Sequence, residues 1–281
     1  MDAFHQFVSE HARLFESGKK LPPLQFKKSA RKISRNAPRV LIFSPHPDDE
    51  CIVGGLPLRL QREARWNVIN VAVTLGSKTE RKAARRRELK SACEFLGFNL
   101  IVAGLEKINM ETRQKNRAHW NAAVEIISKI LAQEKPRVIF LPHKGDVHLT
   151  HIGTHLLVLD ALKKLPRNFN CFVVETEFWG QMENPNLLAE IGVKDLADLV
   201  AALSFHVGEV KRNPYHARLP AWMMDNVRRG AELVGARGWK SPDFIFGTIY
   251  HLQKWRNGKL QKFFTNGKFF GAKENPAKLF R

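Results

Sequence analysis

Three cysteines in 281 residues, Cys51, Cys93 and Cys171, are too few and too scattered for a disulfide framework or a CxxC metal knuckle. Buried free thiols are expected instead. No apolar run approaches the roughly 20 residues of a membrane helix, and the N-terminal MDAFHQFVSEHARLFESGKK lacks the apolar stretch of a secretory signal. A cytoplasmic protein with no transmembrane segment is therefore the expectation. Internal repeats and low-complexity tracts are missing. So are zinc-finger, RNP and helix-turn-helix signatures, so no specific nucleic-acid reading is expected. Acidic residues are scarce, 27 against 46 Lys and Arg, for a net charge of +19. That balance bears on partners rather than fold, and suits nucleic acid, an anionic surface or an acidic substrate. The densest basic cluster, KTERKAARRRELK at 78–90, follows a helical pattern whose apolar stripe is Leu89, Ala92, Cys93 and Leu96. Most of its charges should face water.

What is present is an ordinary globular composition, 44% hydrophobic, with the length of one large α/β domain or two small ones; one is the preferred reading. Residues 1–36 read as an N-terminal helical extension, with a helix around Phe4–Phe15 and then a basic link. Residues 37–281 read as a single domain, elaborated from about residue 180. Short apolar runs at 39–43, 67–73, 100–103, 137–141 and 171–174 alternate with helical patterns at 52–64, 79–96, 117–134 and 151–164. Nearly all-apolar strands separated by helices predict a Rossmann-like, doubly wound α/β fold, its mostly parallel sheet covered on both faces. After residue 180 the pattern turns helical, and a hairpin around Asn257-Gly258 follows, giving a C-terminal helical and hairpin extension.

In such a sheet, ligands bind outside the carboxyl ends of the strands. Two chemically loaded segments lie there: SPHPDDEC at 44–51, directly after the first strand, and PHKGDVHLTHIGTH at 142–155, directly after VIFL. His46 and Asp49 are three apart in a proline-stiffened loop, and His148 and His151 are three apart at a helix start, on one face. Two imidazoles and a carboxylate form a familiar set for a divalent metal, zinc (Zn2+) first, with another ion such as Fe2+ as the alternative. Asp48, free of the metal, is then a natural general base. His5, His11 and His119 have no such company, and His143 and His155 suit packing or support.

The series SPHPDDE, TLG (74–76), Arg85-x-x-Glu88-Leu89-x-x-Ala92-x-x-x-Leu96-Gly97 and Asp146-x-His148-x-x-His151 resembles the LmbE/PIG-L family of metal-dependent N-acetylglucosaminyl deacetylases over about residues 38–210. The resemblance implies a Rossmann-like fold and hydrolysis of an N-acetyl group on an aminosugar conjugate. By position it implies His46, Asp49 and His151 as metal ligands, Asp48 as general base, His148 as the group at the oxyanion or leaving amine, and Asp146 as the carboxylate that orients His148. The family's pattern KxxALxxHxSQ is altered here to ALSFHVGE at 202–209: Ala202, Leu203 and His206 remain, Leu199 replaces the Lys, and Gly208-Glu209 replaces Ser-Gln. His206 is placed at the pocket's edge. Arg85 is expected to point inward, either to pair with Glu88 or to reach the substrate, with Asn213, Tyr215, His216 and Arg218 as the opposite wall. The expected partner is a small-molecule aminosugar conjugate, anionic if that arginine serves a phosphate; a homo-oligomer stays open. Alternatives are hydrolysis of another amide or ester, and a basic nucleic-acid or anionic-surface binder with a vestigial metal site.

Overall fold

A computed structural model describes residues 2–22, 33–34, 36–235, 238 and 240–281. Most of the basic link falls outside the described residues. The strands are β1 (Arg39–Ser44), β2 (Asn67–Ala72), β3 (Asn99–Val102), β4 (Val138–Pro142), β5 (Cys171–Thr176), β6 (Leu187–Glu190), β7 (Gly247–Arg256), β8 (Lys259–Lys262) and β9 (Lys268–Phe270). The helices are α1 (Ala3–Lys19), α2 (Asp49–Ile52), α3 (Gly55–Ala64), α4 (Lys82–Leu96), α5 (Met110–Lys115), α6 (Arg117–Glu134), α7 (Leu149–Lys164), α8 (Val193–Ser204), α9 (Val207–Arg212) and α10 (Tyr215–Gly230).

The sheet runs β3-β2-β1-β4-β5-β7-β6-β9, with β8 paired to β7. Its first five strands are parallel, as expected from their unbroken apolar runs, and the order reverses between β1 and β4. Helices cover both faces. Leu56, Leu89, Leu196 and Met223 from α3, α4, α8 and α10 join one core, and Trp120, Ile127, Leu157 and Leu162 from α6 and α7 the other. Leu89, Ala92, Cys93 and Leu96 are the buried stripe of the basic helix α4, and all three cysteines are free and buried. No helix among the described residues is long and apolar enough to cross a membrane.

The C-terminal elaboration departs from expectation in one respect. Leu187–Glu190, read as part of a helical stretch, is strand β6. It is four residues long and flows at once into a helical pattern, so its period is invisible. The hairpin forms as predicted, with Asn257 and Gly258 both left-handed at φ 55° and 76°, and its long strand β7 lies antiparallel on β5. Arg59 ties this region to α3. Its fully buried guanidinium donates to the carbonyls of Glu190, Gly271, Ala272 and Glu274 at 3.0–3.2 Å and bonds Glu63.

Candidate active site

Reversal of strand order opens a crevice at the carboxyl ends of β1 and β4, and both loaded segments enter it. The loop after β1 turns sharply because Asp48 adopts φ 115°, a region that costs a non-glycine residue on the order of 1–3 kcal/mol. Its surroundings hold it there. The Asp48 amide donates to Glu50 Oε2 at 3.0 Å, and the other Glu50 oxygen accepts from His206 Nε2 at 2.7 Å. Glu50 and His206 are both wholly buried. Burial opposes charge on His206, but the Glu50 carboxylate outweighs it and raises the imidazole's pKa. The His46 amide donates to Asp49 Oδ2 at 2.7 Å, closing the turn.

After β4, His143 donates through Nε2 to the Gly180 carbonyl, fixing the loop that follows β5. Asp146 Oδ1 accepts the His148 amide at 2.8 Å, and Oδ2 accepts the Trp179 amide and lies 3.4 Å from His151 Nδ1. The expectation that Asp146 orients His148 needs correcting: it holds only that residue's backbone, and its carboxylate faces the ring of His151. The reason is local, since His148 caps α7 and its own Nδ1 accepts the Thr150 amide at 3.3 Å. With Nδ1 accepting, the neutral ring carries its proton on Nε2, as a donor.

The rings of His46, His148 and His151 converge at centroid separations of 4.8–5.3 Å, and their nitrogens lie within 4.8 Å of one another. Asp49 Oδ1 is 3.6 Å from His151 Nε2, and Oδ2 is 3.8 Å from His46 Nδ1. Asp49 Oδ1 and both His151 nitrogens are buried without a hydrogen-bond partner. Burial, then the Asp48 charge, pushes the Asp49 carboxyl well above its usual range; burial, then His151 and His148, pushes His46 well down. Burial likewise lifts Asp48 to about 7. Unused imidazole lone pairs beside a carboxylate that lacks a counter-charge suit a divalent cation, which stabilises the anion and takes the orphaned lone pairs. Glu50, Cys51 and His206 also cluster, but Cys51 Sγ and His206 Nε2 both donate to Glu50 Oε1, and Glu50 Oε2 accepts the Asp48 amide, so the carboxylate is already used beneath the loop.

Above this set lies a cavity of about 670 Å³, lined at one end by His46, Asp48 and His148. Arg85 and Tyr215 line it too. The other predicted wall residues do not. Only the first residue of α10 faces the cavity; His216 is buried, Arg218 stacks on Phe15 of α1 at 4.9 Å, and Asn213 ends α9 outside the lining. His206, fully buried, cannot meet a substrate and instead braces the Asp48 loop through Glu50. Arg85 is not paired with Glu88; it donates to the Pro47 carbonyl at 3.3 Å and lies 3.5 Å from Glu209. Trp179, Arg212 and Arg81, the last from the basic run expected to face water, also line the cavity. Trp179 follows β5, so the strand-end rule that found the other loops applies to it as well.

His155, one turn beyond His151, bonds the Pro142 carbonyl through Nδ1 and lies 3.5 Å from Glu175. Burial lowers His155 to about 4 and raises Glu175 to about 7. The two act oppositely on stability. As pH falls from about 6.5 to 4, the unfolded chain protonates His155 and the folded chain does not, so stability drops; as pH rises from about 4.5 to 7, the unfolded chain releases the Glu175 proton first, and stability drops again. In the metal-free protein, compared with wild type so that the shifted Asp48, Asp49 and His46 cancel, His155→Gln should remove a loss of about 2–3 kcal/mol on going from pH 6.5 to 4, and Glu175→Gln a loss of about 2–3 kcal/mol on going from pH 5 to 7. Urea midpoints across this range check the opposite slopes; parallel profiles would contradict them.

Residues 41–162 match the sequence model of the family described as GlcNAc-PI de-N-acetylase, PIG-L. That stretch of the chain is therefore similar to the PIG-L family. It is 28% identical over 150 residues, 48% of its length, to a probable N-acetyl-alpha-D-glucosaminyl L-malate deacetylase 2 of Bacillus anthracis, and the match spans 63% of that relative. The fold is shared with the N,N'-diacetylchitobiose deacetylase of Pyrococcus horikoshii, at TM-score 0.57 and 16% identity over 92% of this chain and 94% of that one. It is shared equally with GalB, the 4-carboxy-2-hydroxymuconate hydratase of Pseudomonas putida KT2440, at TM-score 0.58 and 14% identity over 76% and 95%. Fold alone therefore does not choose the reaction, and the side chains at the strand ends must.

Proposed function

We propose that this chain is a zinc-dependent hydrolase that removes the N-acetyl group from an N-acetylglucosamine-type aminosugar or conjugate and releases acetate. The observation that carries the reading is the convergence of His46, His148, His151, Asp48 and Asp49 from two loops almost 100 residues apart, with His46, Asp48 and His148 lining one cavity and Asp49 and His151 buried behind them. The PIG-L match and the deacetylase relative support the choice of bond. We also infer that residues 37–281 work as one domain behind an N-terminal extension, since β6, β7 and β9 continue the same sheet.

His46, Asp49 and His151 are the residues that would hold the cation, which when bound supplies a Lewis acid for the acyl carbonyl and for water. Asp146, beside His151 Nδ1, orients that ring. Asp48 accepts the proton of the attacking water. Its strained backbone, pinned by Glu50 and His206, keeps the carboxylate turned into the cavity rather than toward its own turn. His148, with Nδ1 committed to the Thr150 amide, presents Nε2–H to the oxygen that gains charge as the carbonyl is attacked. Collapse then breaks the C–N bond, the proton held at Asp48 goes to the departing nitrogen, and acetate and a free amine result. The cleft's Trp179, stacked near His148 at 6.1 Å, offers a flat face to a sugar ring.

Acetate assays on zinc-loaded protein, with N-acetylglucosamine and its conjugates set against a panel of other amides and esters, test the reading. Acetate should appear from the aminosugars together with one new amine per acetate. Turnover only of the esters or of unrelated amides would replace it.

A further inference from the structure

One wall of the cavity is built from arginine. Arg81 and Arg85 each place a guanidinium nitrogen 3.5 Å from Glu209 Oε1, and Arg212 contacts the other oxygen of the same carboxylate. Glu209 is buried, whereas Arg81 and Arg212 retain access to solvent. Three guanidiniums sharing one carboxylate leave two positive charges over. Lys78 and Lys107 line the same cavity, with no ion-pair partner among the described residues.

The wall depends on two of the three positions where this chain departs from the pattern it resembles, Gly208 and Glu209. A Cβ at Gly208 would lie 1.6 Å from Arg81 Nη2, so the guanidinium rests against bare backbone. Glu209, in place of the family's Gln, supplies the charge that gathers the three arginines. Gly76, at φ 85°, plays the same part for Arg85, whose Nη1 would lie 2.1 Å from a Cβ there. Through its bond to the Pro47 carbonyl, Arg85 joins this wall to the loop that carries Asp48.

We propose that Arg81, Arg85 and Arg212 form a subsite for a phosphate on the substrate, so that the preferred class is a phosphorylated N-acetylaminosugar, as a monoester or as a diester of a larger conjugate. The proposal rests on the deacetylase reading for the identity of the sugar, not for the anion. A second carboxylate would neutralise only one of the two surplus charges. A phosphate can neutralise both, and its oxygens match guanidinium forks held at different angles.

The probes are N-acetylglucosamine 1-phosphate, UDP-N-acetylglucosamine, the neutral methyl glycoside and a carboxylate-bearing glycoside, titrated calorimetrically into the full, zinc-loaded chain carrying Asp48→Asn so that turnover is slow against the titration. The phosphorylated sugars should bind at least about tenfold more tightly than the methyl glycoside, the equivalent of one charge-assisted hydrogen bond. The 1-phosphate favoured over the diphosphate conjugate marks a monoester site, and the reverse a diester site; either supports the subsite. Arg81→Ala with Arg212→Ala should abolish the preference, the phosphorylated sugars then binding no more tightly than the methyl glycoside. Gly208→Ala, which need only displace the flexible end of Arg81, should reduce it with no loss of melting temperature. Equal binding of neutral and phosphorylated sugars, a preference that survives the double substitution, or an equal gain from the carboxylate glycoside would each overturn the proposal. A phosphate preference without acetate release from wild type would leave the subsite standing and remove the deacetylase reading. Acetate release without the preference would do the opposite.

Discussion

Asp48→Asn is expected to lower kcat by about 10²-fold or more while the protein keeps its fold and its cation, as loss of a general base should. The fold survives because Asn, like Asp, tolerates positive φ better than most residues. The contacts that pin residue 48 also come from its backbone amide to Glu50, which the substitution leaves in place. The Asn side chain is nearly isosteric with Asp but cannot take up a proton. Steady-state kinetics, metal content and melting temperature, measured together, check this. Loss of the ion in Asp48→Asn would show that Asp48 and Asp49 have exchanged roles.

The meeting of His46, Asp48, Asp49, His148 and His151 was legible in the sequence because these residues sit in two short, dense segments that a parallel sheet must bring to one edge. His46, Asp48 and Asp49 leave β1 together, and His148 and His151 leave β4 together, so topology alone supplies the long-range contact. The substrate wall has no such economy. Arg81 was read as one more solvated charge in a basic run, since nothing local says that residue 208, on a distant helix, lacks a side chain where the guanidinium must rest. The same blindness misplaced His206. A histidine near a pocket pattern reads as a ligand contact, and only the fold reveals that Glu50, 156 residues away, waits for it in the core. Asn213, His216 and Arg218 failed for a geometric reason: a polar run on a helix cannot all face one way, and α1 covers the side of α10 that carries Arg218. Strand β6 failed because four residues carry too little period to separate a strand from the start of a helix.

Alanine at His46, Asp49 or His151 is expected to remove both the cation and all measurable hydrolysis, and His148→Ala to keep the cation. In the first three positions, the side chains offer lone pairs that nothing else in the fold uses: Asp49 Oδ1 and His151 Nε2 face each other, buried and unbonded, at 3.6 Å. Burying such atoms unpaired costs on the order of 1–3 kcal/mol each, so a cation there acts on stability as well as on reaction. Zinc at about a thousand times its dissociation constant should stabilise wild type by roughly 4 kcal/mol, seen as a raised melting temperature, and should do little for the three variants. His148 differs because its Nδ1 already serves the Thr150 amide and caps α7. Its loss should therefore appear in kcat more than in KM, the mark of a group that acts on the transition state. Metal analysis of the four purified variants separates the roles. Full occupancy in the first three would end the assignment, and loss of the ion from His148→Ala would move that histidine from the reacting oxygen to the metal, making the trio of imidazoles the true ligand set.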